Sequence, residues 1–227
     1  FSTDDFFAAI RSVYNKRGSD PRFSRINFCI FGVAAPFDLM NDPRRTPFNI
    51  GVSIRLTNFN LKEAIPLSKG FPFDEETNKR VVSRILYWTN GQPYLTQKIA
   101  QLISNQDAAQ AQLTNSNNVI DYIDNVIDQT FLTGNVLGSE THFSNIQARI
   151  IFNDSYNIMM LELYREVQSA KSHVSYTRAP EQLYLNLSGL VGEEHGIIRI
   201  NNRIYESIFN EDWVVEALND IKRPFAS

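Results

Sequence analysis

The segment Tyr87-Trp88-Thr89-Asn90-Gly91-Gln92-Pro93-Tyr94-Leu95-Thr96-Gln97 constrains the fold more than any other part of the chain, because it joins two amphipathic helices through Gly-x-Pro. Glycine accepts the positive φ with which helices commonly end, and proline is pre-set for the first turn of a helix. Two helices therefore meet at a fixed bend. Val81, Val82, Ile85, Leu86 and Trp88 form one face of the first helix, and Tyr94, Leu95, Ile99, Leu102 and Ile103 one face of the second. Taken by itself, such a bend is a corner held by packing.

Upstream of the corner the pattern is mixed. Phe6, Phe7, Ile10, Val13 and Tyr14 share a helical face that ends near Arg17-Gly18, and Ser2 and Asp5 before it have capping-box spacing. The apolar run Ile26 to Phe31 then reads as a strand covered on both faces, in which Cys29 is expected to be a buried small hydrophobe. Val52 to Leu56 reads as a second strand, and Leu61 to Ser68 as a helix that Pro66 kinks. This order is that of the end of an α/β sheet. The chain opens on Phe1 without an initiator methionine, which reads as part of a longer polypeptide.

The corner helices and a third helix from Val119, reached through a polar linker over Asn105 to Asn118, read as a helical lid. The last third has a different grammar. Helical patterns over Phe143 to Phe152, Ile158 to Val167 and Pro180 to Gly189 precede Gly192-Glu193-Glu194-His195-Gly196, a turn between two short strands, and Asn210 caps a closing helix. Helices followed by a hairpin predict a winged helix. The expected architecture is α/β plus α, divided into 1–72, the C-terminal part of an α/β nucleotide-binding domain; 73–138, the lid; and 139–227, the winged-helix domain.

Composition narrows the setting. At 227 residues and 43% hydrophobic, the chain can bury a sizeable core. Its 22 basic and 25 acidic residues leave a net charge of −3, so no global field draws it to nucleic acid or an anionic membrane. The longest apolar stretch, Ile26 to Phe37, is too short to span a bilayer, and one cysteine cannot form an internal disulfide. A soluble, cytoplasmic protein is expected. His142, His173 and His195 are scattered, without ligand spacing for zinc or a partner for a nucleophile, so no catalytic residue and no metal ligand is assigned.

Five short segments, in one order, carry a resemblance. Phe1 to Ile10, Phe31-Gly32-Val33-Ala34-Ala35-Pro36-Phe37-Asp38-Leu39, Thr46-Pro47-Phe48-Asn49-Ile50-Gly51, the Gly-x-Pro segment and Leu187-Ser188-Gly189-Leu190-Val191 resemble the AAA-like domain of many cyanobacterial signalling proteins, within the signal-transduction (STAND) class of P-loop ATPases. The resemblance implies the C-terminal portion of a P-loop sheet with its lid and winged helix. It places Gly91, Gln92, Pro93 and Tyr94 near the nucleotide, with Pro93 against the adenine. It places the sensor-like loop at Gly32, Ala34, Ala35 and Pro36, where the family has a threonine in place of Ala35. Arg44 and Arg45 are candidate phosphate contacts, although a basic pair in a turn is more often simply solvated.

The 227 residues contain no Gly-x-x-x-x-Gly-Lys-Ser/Thr loop. Phosphoryl transfer needs backbone amides and a lysine around the phosphates, and a placed metal ion. This chain alone is therefore expected to bind no cofactor and to hydrolyse nothing. The resemblance implies ATP or ADP with magnesium in the intact protein, a possible ATPase, whose N-terminal P-loop portion would be the first partner and whose effector domains or protein partners would follow. Two other readings remain open at this point, a protein-interaction module without a nucleotide role and a DNA-binding winged helix. Against the last, Phe143 to Asn210 carries six basic and seven acidic residues, net −1, and Pro180 to Gly189 has no Lys or Arg. Affinity for DNA rests on phosphate neutralisation, so no nucleic-acid partner is expected.

Overall fold

Asp4 and Asp5 in the first turn and Lys16 in the last complement the dipole of helix α1 (Thr3–Lys16), which turns Phe7 and Ile10 inward and leaves Phe6 and Tyr14 exposed. The computed structural model describes residues 3–32, 52, 54, 56–105, 116–169 and 173–222. The chain divides into two compact units, Phe1–Leu56 and Thr57–Ser227. In the first unit α1 is followed by a 3-10 turn over Pro21–Arg25, capped by Asp20, whose Oδ1 accepts from Arg22 N–H (3.0 Å).

Residues 26–32 carry no regular secondary structure, and Ile26, Phe28, Ile30 and Phe31 are exposed. Cys29, expected to be buried, is exposed as well. The reason is physical: an apolar strand is covered only where neighbouring strands take its backbone groups and helices close its faces, and no such strand occurs among the described residues of this unit. Val52, Ile54 and Leu56 are likewise exposed and irregular, while Ser53 and Arg55 lie outside the described residues. The parallel sheet expected here is therefore not formed among the described residues, which are mainly helical with one two-stranded sheet.

The second unit opens on a capping box. Asn60 Oδ1 accepts from Glu63 N–H (3.1 Å) and Asn60 N–H donates to Glu63 Oε2 (3.0 Å), starting α2 (Leu61–Ala64). Pro66 does more than kink it, because a proline offers no N–H to the helical ladder. The chain continues as a 3-10 helix over Ile65–Gly70. Asp74 then caps α3 (Glu75–Thr89), and α4 (Pro93–Ser104), α5 (Ser116–Ile127), a wide π turn over Asp128–Leu132, α6 (Val136–Ser139), α7 (Thr141–Ile151) and α8 (Asn157–Gln168) follow. The polar linker expected over Asn105 to Asn118 ends earlier than expected, at Ser116, and its residues 106–115 lie outside the described set.

Helix α9 (Pro180–Ser188) leads into an antiparallel hairpin, β1 (Val191–Glu194) and β2 (Ile197–Ile200), with Val191 opposite Ile200 and Glu194 opposite Ile197. His195 (φ 53°) and Gly196 (φ 78°) make the two-residue turn, whose positive φ values match the twist of the strands. On the other side of β2, Ile198 N–H donates to Val174 O (2.9 Å) and Tyr176 N–H to Gly196 O (2.8 Å). Short helix α10 (Arg203–Ile208) and α11 (Glu211–Lys222) close the chain, the latter capped by Asn210 as expected.

One apolar core runs through this unit from Ala64 to Leu218. It takes Val81, Val82 and Ile85 from α3, Leu95, Ile99 and Ile103 from α4, and Ile123 and Ile127 from α5. It continues without a break through Phe143, Tyr164, Leu185, Tyr205 and Val214. The segments expected as lid (73–138) and winged helix (139–227) thus share one interior, and the unit boundary at Leu56/Thr57 lies upstream of the expected 72/73. Among the described residues no helix is long and apolar enough to cross a membrane.

Candidate functional site

Residues 89–93 leave almost no freedom to the backbone at the Gly-x-Pro corner. Asn90 ends α3 in the left-handed region (φ 48°), and Gly91 follows at φ 73°. The Gly91 carbonyl accepts from Phe59 N–H (2.8 Å), which brings the two backbones so close that a Cβ on Gly91 would lie 2.0 Å from Phe59 O. Only glycine fits there.

Beneath the bend, Thr89 and Thr96 are fully buried. Thr89 Oγ1 donates to Ile85 O (2.9 Å) and accepts from Gly91 N–H (3.2 Å), so Thr96 supplies the proton of the 2.8 Å contact between the two hydroxyls. Gln92 caps α4, its Oε1 accepting from Leu95 N–H (2.7 Å), and Pro93 is the first residue of that helix. Pro93 itself is half-buried and has no N–H to satisfy.

Tyr94 leaves the corner toward a second cluster. Its hydroxyl and Lys98 both donate to Glu140, and Lys98 Nζ also donates to Tyr94 Oη (3.3 Å). Its ring stacks on His142 at 4.6 Å, and His142 stacks in turn on Tyr205 at 5.8 Å, with Nε2 of His142 2.7 Å from Tyr205 Oη. Burial, together with the hydrogen bond that the hydroxyl donates to Glu140, pushes the Tyr94 phenol up. Burial raises the Glu140 carboxyl, but its bonds from Lys98 and Tyr94 outweigh this and hold it below the ordinary carboxylate value. Burial pushes His142 down, opposed by Glu140 and aided by Lys98 and Arg149.

That last shift sets a pH dependence. Folding favours the neutral His142 imidazole, so its contribution to stability is present above the ordinary value of 6.5 and is lost as pH falls below it toward the folded pKa. Glu140 acts with the same sign at lower pH, its contribution being present above 4.5 and lost as pH falls through its depressed folded value. Stability is therefore expected to drop between pH 7.5 and 5.5, and less steeply in His142→Phe, as read from denaturant midpoints at the two pH values. An equal drop in both proteins would show that His142 does not titrate on unfolding.

On the α3 side, the guanidinium groups of Arg84 and Arg203 lie 4.3 and 3.9 Å from the centre of the Tyr87 ring. Arg84 pairs with Asp124 through Nε (2.6 Å) and Nη2, and Trp88 Nε1 donates to the same carboxylate (2.7 Å). The Asp124 hydrogen bonds keep the Arg84 guanidinium above its already high ordinary value despite partial burial.

The sequence singled out Gly91, Gln92, Pro93 and Tyr94, and the structure brings these four together on one turn. Gly32 lies exposed in the first unit. Ala34, Ala35, Pro36, Arg44 and Arg45 lie outside the described residues. Sequence reasoning missed Glu140, His142, Asn201, Arg203 and Tyr205. His142, read as a histidine without ligand spacing or a nucleophile to serve, stands between two tyrosines. No local spacing marks these residues, because they reach the corner across 46 to 116 positions of chain. Among the described residues no group of three or more His, Cys, Asp or Glu is arranged to hold a metal ion.

The sequence profile of the AAA-like domain family matches residues 2–211, and the chain belongs to that family. It is 38% identical over 228 residues to an uncharacterized WD repeat-containing protein of Synechocystis sp.. The match covers 100% of this chain and 19% of that protein, so the chain spans about one fifth of the length of this curated relative. No solved structure matches it significantly.

Proposed function

We propose that this region is the nucleotide-sensing, regulatory portion of a STAND-type signal-transduction ATPase. Its lid and winged helix switch between states according to the nucleotide held with the P-loop portion of the same protein. Residues Gly91 to Tyr94 lie beside the base of ATP or ADP, with magnesium on the phosphates, and none of the chemistry is carried by this chain. Membership of the AAA-like family supports the class. The observation that carries the site is the corner itself. Its backbone is held by buried hydrogen bonds, yet Pro93 is not fully covered by packing and keeps part of its surface open, which suits it to meeting a ligand.

A second reading, a protein-interaction module without a nucleotide role, draws support from the WD repeat-containing relative, of which this region is a small share. The DNA-binding reading has no such support, since α9 carries no Lys or Arg.

Pro93→Ala in the full-length polypeptide separates the first two. A first-turn proline donates no helical hydrogen bond, and its loss costs about 0.4–1 kcal/mol, chiefly through the entropy of the unfolded chain. On the nucleotide reading, the affinity for ATP or ADP falls clearly while the melting temperature moves little. Equal affinity in the two proteins, with a lowered melting temperature, would leave the interaction-module reading standing.

A further inference from the structure

Helix α3 ends with a carbonyl that its own ladder cannot satisfy. The donor that would reach Tyr87 O is Gly91 N–H, and this group is turned to Thr89 Oγ1 (3.2 Å) instead. Arg203 takes its place: Nη1 donates to Tyr87 O (2.8 Å), and the guanidinium lies over the Tyr87 ring at 3.9 Å. A cation at this position also opposes the negative end of the helix dipole.

Arg203 does not act alone. Asn201, directly after β2, donates from Nδ2 to Gly189 O (2.7 Å) and Val191 O (2.9 Å) at the base of the hairpin. Its own carbonyl accepts from Asn90 Nδ2 (3.0 Å). Asn202 fixes the start of α10 by accepting from Tyr205 N–H (2.9 Å), and Tyr205 Oη meets His142, whose ring stacks on Tyr94. Asn201, Arg203 and Tyr205, within five consecutive residues, thus hold Tyr87 and Asn90 before the bend and, through His142, Tyr94 after it.

We propose that Asn201–Tyr205 is a clasp by which the hairpin positions the Gly-x-Pro corner, with Arg203 as the principal positioning residue. Any displacement of the hairpin, by a partner or by a neighbouring domain, pulls on Asn201 through its two bonds at the hairpin base. From there it passes to the end of α3 and to Pro93. The consequence for nucleotide rests on the function proposed above; the clasp itself does not.

The test uses the full-length polypeptide with Arg203→Met and Arg203→Lys, read by hydrogen exchange and by nucleotide affinity. In Arg203→Met, amides in 86–96 are expected to exchange roughly tenfold faster, the effect of losing one charge-assisted hydrogen bond. Amides of α8, 157–168, none of which belongs to the clasp, stay near wild-type rates. Lysine keeps a donor but not the planar fork that stacks on the ring, so Arg203→Lys recovers part of the protection. Unchanged exchange in 86–96, or faster exchange spread equally over 86–96 and 157–168, overturns the clasp. Loosened amides with unaltered nucleotide affinity uphold the clasp and remove the nucleotide role of the corner.

Discussion

Gly91→Ala is expected to destabilise the Thr57–Ser227 unit by about 3 kcal/mol or more, against about 1–2 kcal/mol for Gly196→Ala. Both glycines have positive φ, 73° and 78°, so both substitutions carry the same left-handed backbone cost. They differ in what the new methyl meets. At Gly196, on the hairpin turn, nothing lies within 4 Å. At Gly91 the methyl lies 2.0 Å from Phe59 O and 2.9 Å from Phe59 C and N, all backbone atoms that no rotamer change can move aside. Relief requires Phe59 to back away, which breaks its hydrogen bond to Gly91 O and loosens the capping box at Asn60. Denaturant midpoints of the two variants measure the contrast. A Gly91→Ala protein no less stable than Gly196→Ala would mean that the Phe59 strap yields freely, and the rigidity ascribed to the corner would fall with it.

The corner was legible in the sequence because its determinants are local. A glycine two residues before a proline, a glutamine ahead of that proline and flanking apolar faces at helical spacing suffice to place one helix end against the next. Asn210 was readable as a cap for the same reason: a cap bonds to a backbone amide three residues on. The turn at His195-Gly196 announces itself by its glycine.

What sets the corner in its surroundings was not legible. Arg203 looks like any solvated arginine until tertiary folding brings it over Tyr87, and Glu140 bonds to Tyr94 across 46 residues. Cys29 shows the opposite failure. Its apolar neighbours describe a residue that ought to be covered, but cover comes from other strands, and the composition of a segment cannot say whether they are at hand. The π turn at Asp128–Leu132 and the 3-10 helix after Ala64 depart from helical periodicity only slightly, too little for a pattern of apolar positions to detect.

The largest effect outside the backbone is expected from Phe143→Ala, because Phe143 joins two regions that the sequence assigned to different domains. It is fully buried in the first turn of α7, with ring contacts to Phe131 at 5.7 Å, Tyr205 at 6.1 Å and Phe209 at 6.5 Å. Phe131 belongs to the segment expected as lid, Tyr205 and Phe209 to that expected as winged helix. Truncation to alanine is expected to cost about 3–5 kcal/mol, the lost transfer energy plus a cavity that packed neighbours only partly fill. How that loss is distributed tests the continuity of the core. The protein has two tryptophans, Trp88 on α3 and Trp213 on α11, so Trp213→Phe and Trp88→Phe leave one reporter in each region. If the interior from Ala64 to Leu218 is one cooperative body, both reporters unfold at the same denaturant concentration, and Phe143→Ala lowers both midpoints equally. Were the lid and the C-terminal bundle separate folding units, the midpoint reported by Trp213 would fall while that reported by Trp88 stayed in place. A switch between them would then be a movement of independent bodies, whereas a shared core makes any switch a repacking around Phe143.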